Sequence, residues 1–82
     1  MNEIWNLSDI ELGEHCRVRG LSAEGAMRRR LLDIGLVEGA CVRRIGESPG
    51  GGLRAYRVCG AVIAIRTGDA RDVFVERGAA WA

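Results

Sequence analysis

The 82-residue sequence contains no lysine, one histidine, one proline and four aromatic side chains, and no apolar run approaches the length of a membrane span. Each scarcity removes a class of function. Crossing a bilayer as a helix takes about 20 consecutive apolar residues, so direct membrane insertion is not expected. The start, Met1-Asn2-Glu3-Ile4-Trp5, lacks the basic region and apolar stretch of a secretory signal. A cytoplasmic location is the expectation. Twelve basic and eleven acidic residues leave a formal net charge of +1. That is too little for the broad electrostatic footprint of a nucleic-acid binder. All the basic residues are arginine, which reads first as a codon habit and lowers the weight of any single one.

The chain is equally poor in reactive constellations. It offers no nucleophile beside a base and no paired carboxylates, so no catalytic residue is assigned and an enzyme is not expected. The cysteines, Cys16, Cys41 and Cys59, are odd in number, widely spaced and without a C-x-x-C pair. A structural zinc site needs four ligands, where this chain offers three thiols and one imidazole. His15 sits beside Cys16 on an alternating stretch, so the two point to opposite faces. His15 is therefore expected as a plain surface residue and the cysteines as reduced core thiols, with no metal and no cofactor. Gly50-Gly51-Gly52 lacks the Lys-Ser/Thr and the following helix of a phosphate loop, and is expected as a mobile hairpin loop.

What remains is a well-patterned small domain. A chain this short holds one core. Residues 1–76 are taken as that domain and 77–82 as a frayed tail that carries Trp81. Leu7 to Gly13 reads as an extended lead-in, and His15 to Leu21 alternates as a first strand with Cys16 and Val18 inward. Ser22 is a candidate cap for a helix over Ala23 to Ile34, with Met27, Leu31 and Ile34 on one face and Gly35 to end it. Cys41 to Ile45, Leu53 to Val58 and Ala61 to Arg66 read as further strands. Cys59-Gly60 forms a tight hairpin turn, and Thr67-Gly68-Asp69 leads into a last strand with Val73 and Val75 inward and Phe74 outward. The fold class is mainly β: a small closed barrel of five strands, with one short helix between the first and second.

Two features suit partner binding. Arg28-Arg29-Arg30 is the one charge cluster, and Leu32 lies on the outer side between Arg28 and Arg29; arginine is favoured at interfaces. Phe74 is an outward aromatic on a strand. Arg28, Arg29, Leu32 and Phe74 are accordingly the candidate partner-binding residues. Oligomeric state has no signature in the pattern.

The order of the pieces adds a resemblance. Leu7-Ser8-Asp9-Ile10 with Gly13, Arg17-Val18 with Gly20, Arg28 to Val37 with Gly39, and Arg57-Val58 with Gly60 and Ile63-Ala64-Ile65-Arg66 together resemble the FeoA family of ferrous iron transport accessory proteins. The similarity runs from Leu7 to Glu76. Its most specific part is Arg30-Leu31-Leu32-Asp33-Ile34-Gly35-Leu36 with Gly39. The resemblance implies an SH3-like barrel and an accessory role in ferrous iron uptake, through contact with the membrane GTPase FeoB. It brings no catalytic or metal-binding residue. A likeness to the small barrel of iron-dependent repressors gives the alternative, a metal-responsive or repressor-associated domain in transcriptional control.

Overall fold

Backbone hydrogen bonds join six antiparallel strands into one sheet in the computed structural model, which describes residues 4–77. The strands are β1 (Ile4–Asn6), β2 (His15–Leu21), β3 (Cys41–Glu47), β4 (Leu53–Val58), β5 (Ala61–Arg66) and β6 (Val73–Arg77), in the spatial order β1-β6-β2-β3-β4-β5. Helix α1 (Gly25–Asp33) joins β2 to β3, and a four-residue helix α2 (Thr67–Ala70) joins β5 to β6. Single turns of 3₁₀ helix lie at Leu7–Asp9 and Pro49–Gly51.

Period-two alternation supplies one buried face. Cys16 and Val18 of β2, Val42 of β3, Tyr56 and Val58 of β4, Ile65 of β5, and Val73 and Val75 of β6 all lie in the core. Leu7, Ile10, Leu31 and Leu36 enter from outside the sheet. Phe74 points the other way, as its position between two inward valines requires.

Two expectations about the sheet need correction. Six strands replace five, and the barrel is not closed by backbone pairing, since β1 and β5 are its edges. The extra strand is Ile4–Asn6, which pairs along β6 through Trp5 opposite Val75. Helix α1 therefore follows the second strand and not the first. The ladder does not close because the chain after β1 coils into the Leu7–Asp9 turn. Side chains bridge that seam instead: the Tyr56 hydroxyl donates to the Leu7 carbonyl at 3.4 Å, Arg54 donates to the Ser8 carbonyl, and Arg44 donates to the Ile10 carbonyl at 3.1 Å.

Helix α1 starts two residues later than its candidate cap implied. The Ser22 hydroxyl reaches Asp72 across 50 positions and takes no part in capping. Its far end follows the sequence closely. Gly35 takes φ +107° and donates to the Leu32 carbonyl at 3.0 Å, while Leu36 donates to the Leu31 carbonyl at 3.1 Å. This is the paired-bond cap that uses a left-handed glycine, and buried Leu31 and Leu36 supply its apolar contact.

The glycine-rich hairpin is tied down where mobility was expected. Ser48 and Leu53 exchange backbone and hydroxyl bonds, and the Thr67 hydroxyl donates to the Gly51 carbonyl at 2.6 Å. At the other end of the chain, Arg77 belongs to β6: it pairs with Cys16, meets Glu14 at 2.5 Å and stacks over Trp5 at 4.5 Å. Trp81 and the remainder of the expected tail lie outside the described residues.

Candidate interaction surface

The sequence-proposed residues fall in two neighbouring places. Arg28, in the first turn of α1, donates to the Leu21 carbonyl at 3.3 Å, which anchors that turn to the end of β2. Phe74 lies opposite the adjacent Gly20 and is 37% exposed. A bulge interrupts the β2–β6 register between Val18 and Gly20, and a side chain built at Gly20 would meet nothing within 4 Å. Gly20 thus leaves open space opposite Phe74, and Arg28 is tethered to the next residue of β2, Leu21. Arg29 is exposed, and Leu32 is half-buried on the helix.

Arg30 faces elsewhere. With Met27, Leu31 and Ile34 it lines a groove of about 120 Å³ against Ile63, Ile65 and Asp69, where α1 crosses β5. This groove is lined mainly by apolar side chains of the core.

A second surface went unread in the sequence. His15, Arg43 and Arg57 stand opposite one another across β2, β3 and β4, and they line a concavity of about 390 Å³ together with Cys41 and Cys59. Arg43 also borders a shallower hollow of about 340 Å³ with Leu12 and Ile45. Leu12 is 65% exposed, and Ile45 is turned out at the bulge between Arg44 and Gly46. Like charges directly opposite on neighbouring strands repel. Arg43 and Arg57 face each other in this way, and no carboxylate lines their concavity. For Ile45 the missed signal was Gly46, which inside a strand marks a bulge that redirects its neighbours.

His15 is half-buried at the rim of this surface hollow. The cysteines also divide against expectation. Cys16 is buried, whereas Cys41 and Cys59 are exposed. Alternation explains Cys41, since it shares the outward phase of Arg43 while Val42 takes the inward one; Cys59 sits in the hairpin turn. Burial, with Glu14 and Cys41 adding to it, pushes the Cys16 thiol up to about 12. Burial likewise raises the Tyr56 hydroxyl, opposed by Arg54. Both groups are structural: a neutral thiol packed in the core and a neutral phenol that bridges the seam. Among the described residues no set of three or more His, Cys, Asp or Glu side chains is placed to hold a metal ion.

A single small antiparallel sheet with helix α1 joining β2 to β3 is an SH3-like domain. The FeoA domain model matches residues 5–77, and the chain belongs to that family, which ties it to ferrous iron transport. The solution structure of FeoA from Chlorobium tepidum is 32% identical, with 90% of this chain and 70% of that chain covered and a TM-score of 0.84. A FeoA-like protein from Clostridium acetobutylicum is 30% identical over 94% of this chain and 90% of that one, with a TM-score of 0.85. Zinc-complexed FeoA from Stenotrophomonas maltophilia, described as a procaryotic SH3 domain protein, is 31% identical over 85% and 87% of the two chains, with a TM-score of 0.76. A manganese-dependent transcriptional repressor shares the fold alone, at 18% identity and a TM-score of 0.83, over 95% of this chain and 44% of that one. No curated protein matches the sequence.

Proposed function

We propose that this protein is a cytoplasmic, non-enzymatic accessory of ferrous iron uptake that acts by docking on the cytoplasmic part of the membrane GTPase FeoB. Family membership supports the pathway, and the exposed Phe74 on β6, with Arg28 tethered to the neighbouring strand β2, supports the mode. Exposed aromatic and arginine side chains are the residue types that concentrate binding energy at protein interfaces. Arg29 and Leu32 extend the contact along α1. Contact of this kind modulates a GTPase by ordering its catalytic loops, with no chemistry supplied by the accessory. The repressor-associated alternative has only a shared fold behind it.

The test is retention of detergent-solubilised FeoB on the tagged protein, beside Phe74→Ala and a triple Arg28→Ala, Arg29→Ala, Leu32→Ala variant with confirmed folds. The parent retains FeoB, and Phe74→Ala weakens binding roughly 30-fold, the size of one interface hot spot. No retention by the parent overturns direct docking, and undiminished binding by both variants moves the site elsewhere.

A further inference from the structure

The arginines of the sheet differ in what they meet. Arg19, Arg44 and Arg77 each reach a carboxylate, from Glu76, Glu47 and Glu14, and Arg54 donates to the Ser8 carbonyl. Arg43 and Arg57 are exposed, and among the described residues neither has a hydrogen-bond or ion-pair partner.

Register makes these two more than solvated side chains. The β3–β4 ladder sets Arg43 directly across from Arg57, and the β2–β3 ladder sets His15 across from Arg43, so the three form one row over three strands. Directly opposed residues on antiparallel strands have Cβ atoms roughly 4.5–5.5 Å apart, and like charges placed so destabilise the sheet. All three line the concavity of about 390 Å³, and no carboxylate lines it with them. Glu14, the acidic neighbour of His15 in sequence, turns its carboxylate to Arg77 and to the Glu11 amide. The described acidic residues thus leave a local repulsion in place, and an anion seated in the concavity relieves it.

The donors select the kind of anion. A carboxylate has one charge and two oxygens, enough for one guanidinium fork. A phosphate monoester has a second pKa of about 6, so at neutral pH it carries nearly two charges and presents three acceptor oxygens, enough for two forks and an imidazole. The concavity also falls within the roughly 300–1,000 Å³ that small-molecule sites occupy, which is more room than a bare phosphate fills. Cys41, Val42, Cys59 and Gly60 supply an uncharged wall beside the basic row. We propose that this concavity binds a phosphorylated small molecule, a phosphate monoester whose phosphoryl group bridges Arg43 and Arg57 beside His15 and whose organic group lies against that wall. The step is binding alone, with no bond made or broken. It stands apart from docking on FeoB and uses none of the residues assigned to that contact.

The probe is phenyl phosphate, titrated into the full isotopically labelled chain at neutral pH and constant ionic strength and followed by NMR. Saturable shifts are expected at His15, Arg43 and Arg57. Benzoate, which keeps the ring but has one charge, and inorganic phosphate, which lacks the ring, each bind at least fivefold more weakly. Arg43→Gln and Arg57→Gln each weaken phenyl phosphate about tenfold, the size of one hydrogen-bonded contact to a charged group. The double variant, its fold checked by its amide spectrum, loses saturation, and phenyl phosphate no longer raises its thermal midpoint as it does that of the parent. No saturable shift in the parent, benzoate binding as tightly as phenyl phosphate, or unchanged affinity in the double variant overturns the proposal. Inorganic phosphate binding as tightly as the ester overturns the organic part of it. Sedimentation with phosphatidic acid vesicles that requires Arg43 and Arg57, without any response to phenyl phosphate, overturns it in favour of a lipid headgroup.

Discussion

Of the turns that use left-handed backbone, the one at Gly35 after helix α1 and the one at Cys59 between β4 and β5 solve the problem with opposite residues. At Gly35 the conformation, the hydrogen bonds and the packing agree. The glycine caps the helix; its φ of +107° favours glycine, and a Cβ there would lie 3.2 Å from Val58 Cγ1, which would have to give way. At Cys59 a side chain is present at φ +51°, with its sulfur beside the Gly35 turn. The first turn is where local preference and tertiary structure are consistent; the second is where they part. Such a departure is the kind of place where function resides.

Four measurements break or sharpen that contrast. The largest effect at neutral pH is expected at the core side of the Gly35 turn: Leu36→Ala removes a fully buried side chain and lowers the unfolding free energy by about 3 kcal/mol in urea titration. Gly35→Ala follows at about 2 kcal/mol, the left-handed penalty with the Val58 contact added, read in the same titration. An outcome below half that value would show that the turn relaxes and is no more constrained than the hairpin.

The third measurement separates the buried thiol from the exposed ones. Cys16 is raised from 9.0 to about 12, so in the folded protein it keeps its proton while the unfolded chain has lost it. Its contribution is fully present below pH 9 and disappears between about 9 and 12, at about 1.4 kcal/mol per pH unit. Tyr56 acts in the same direction. Cys16→Val flattens the alkaline decline, whereas Cys41→Ser leaves it in place. The smallest effect is a gain: under reducing conditions Cys59→Asn stabilises the protein by about 0.5–1 kcal/mol, because Asn tolerates the left-handed region. A loss there would mean that the Cys59 side chain contributes packing after all.

The two turns also show how much was legible beforehand. Strong local chemistry could be read directly: the glycine cap after α1, the Cys59-Gly60 hairpin, the inward valines of β6 and the outward Phe74 all follow from single-residue preference or period two. The misses share a different cause. Ile4–Asn6 is a strand only because β6 lies beside it, and three residues are too few to display a period. Ser22 carries the chemistry of a cap, but Asp72, 50 residues away, takes its hydroxyl. The glycine loop looked mobile because its pins, Ser48 and Thr67, act from outside the glycine run. Of the surface, Arg28 and Phe74 were readable one at a time. That both lie against the end of β2 was not, because it depends on the β2–β6 pairing. The row His15, Arg43 and Arg57 depends on the registers of three strands and has no trace in the order of the chain.

The pairing of β1 with β6 carries a consequence of another kind. Ile4 lies opposite Glu76, so the points where chain enters and leaves the sheet are neighbours. A unit whose entrance and exit adjoin can be spliced into a loop of a host protein without prying the host apart, and its own strands need not rearrange to accept the junctions. Such geometry suits a portable cassette, and the occurrence of the same architecture as one part of a longer repressor is what portability permits.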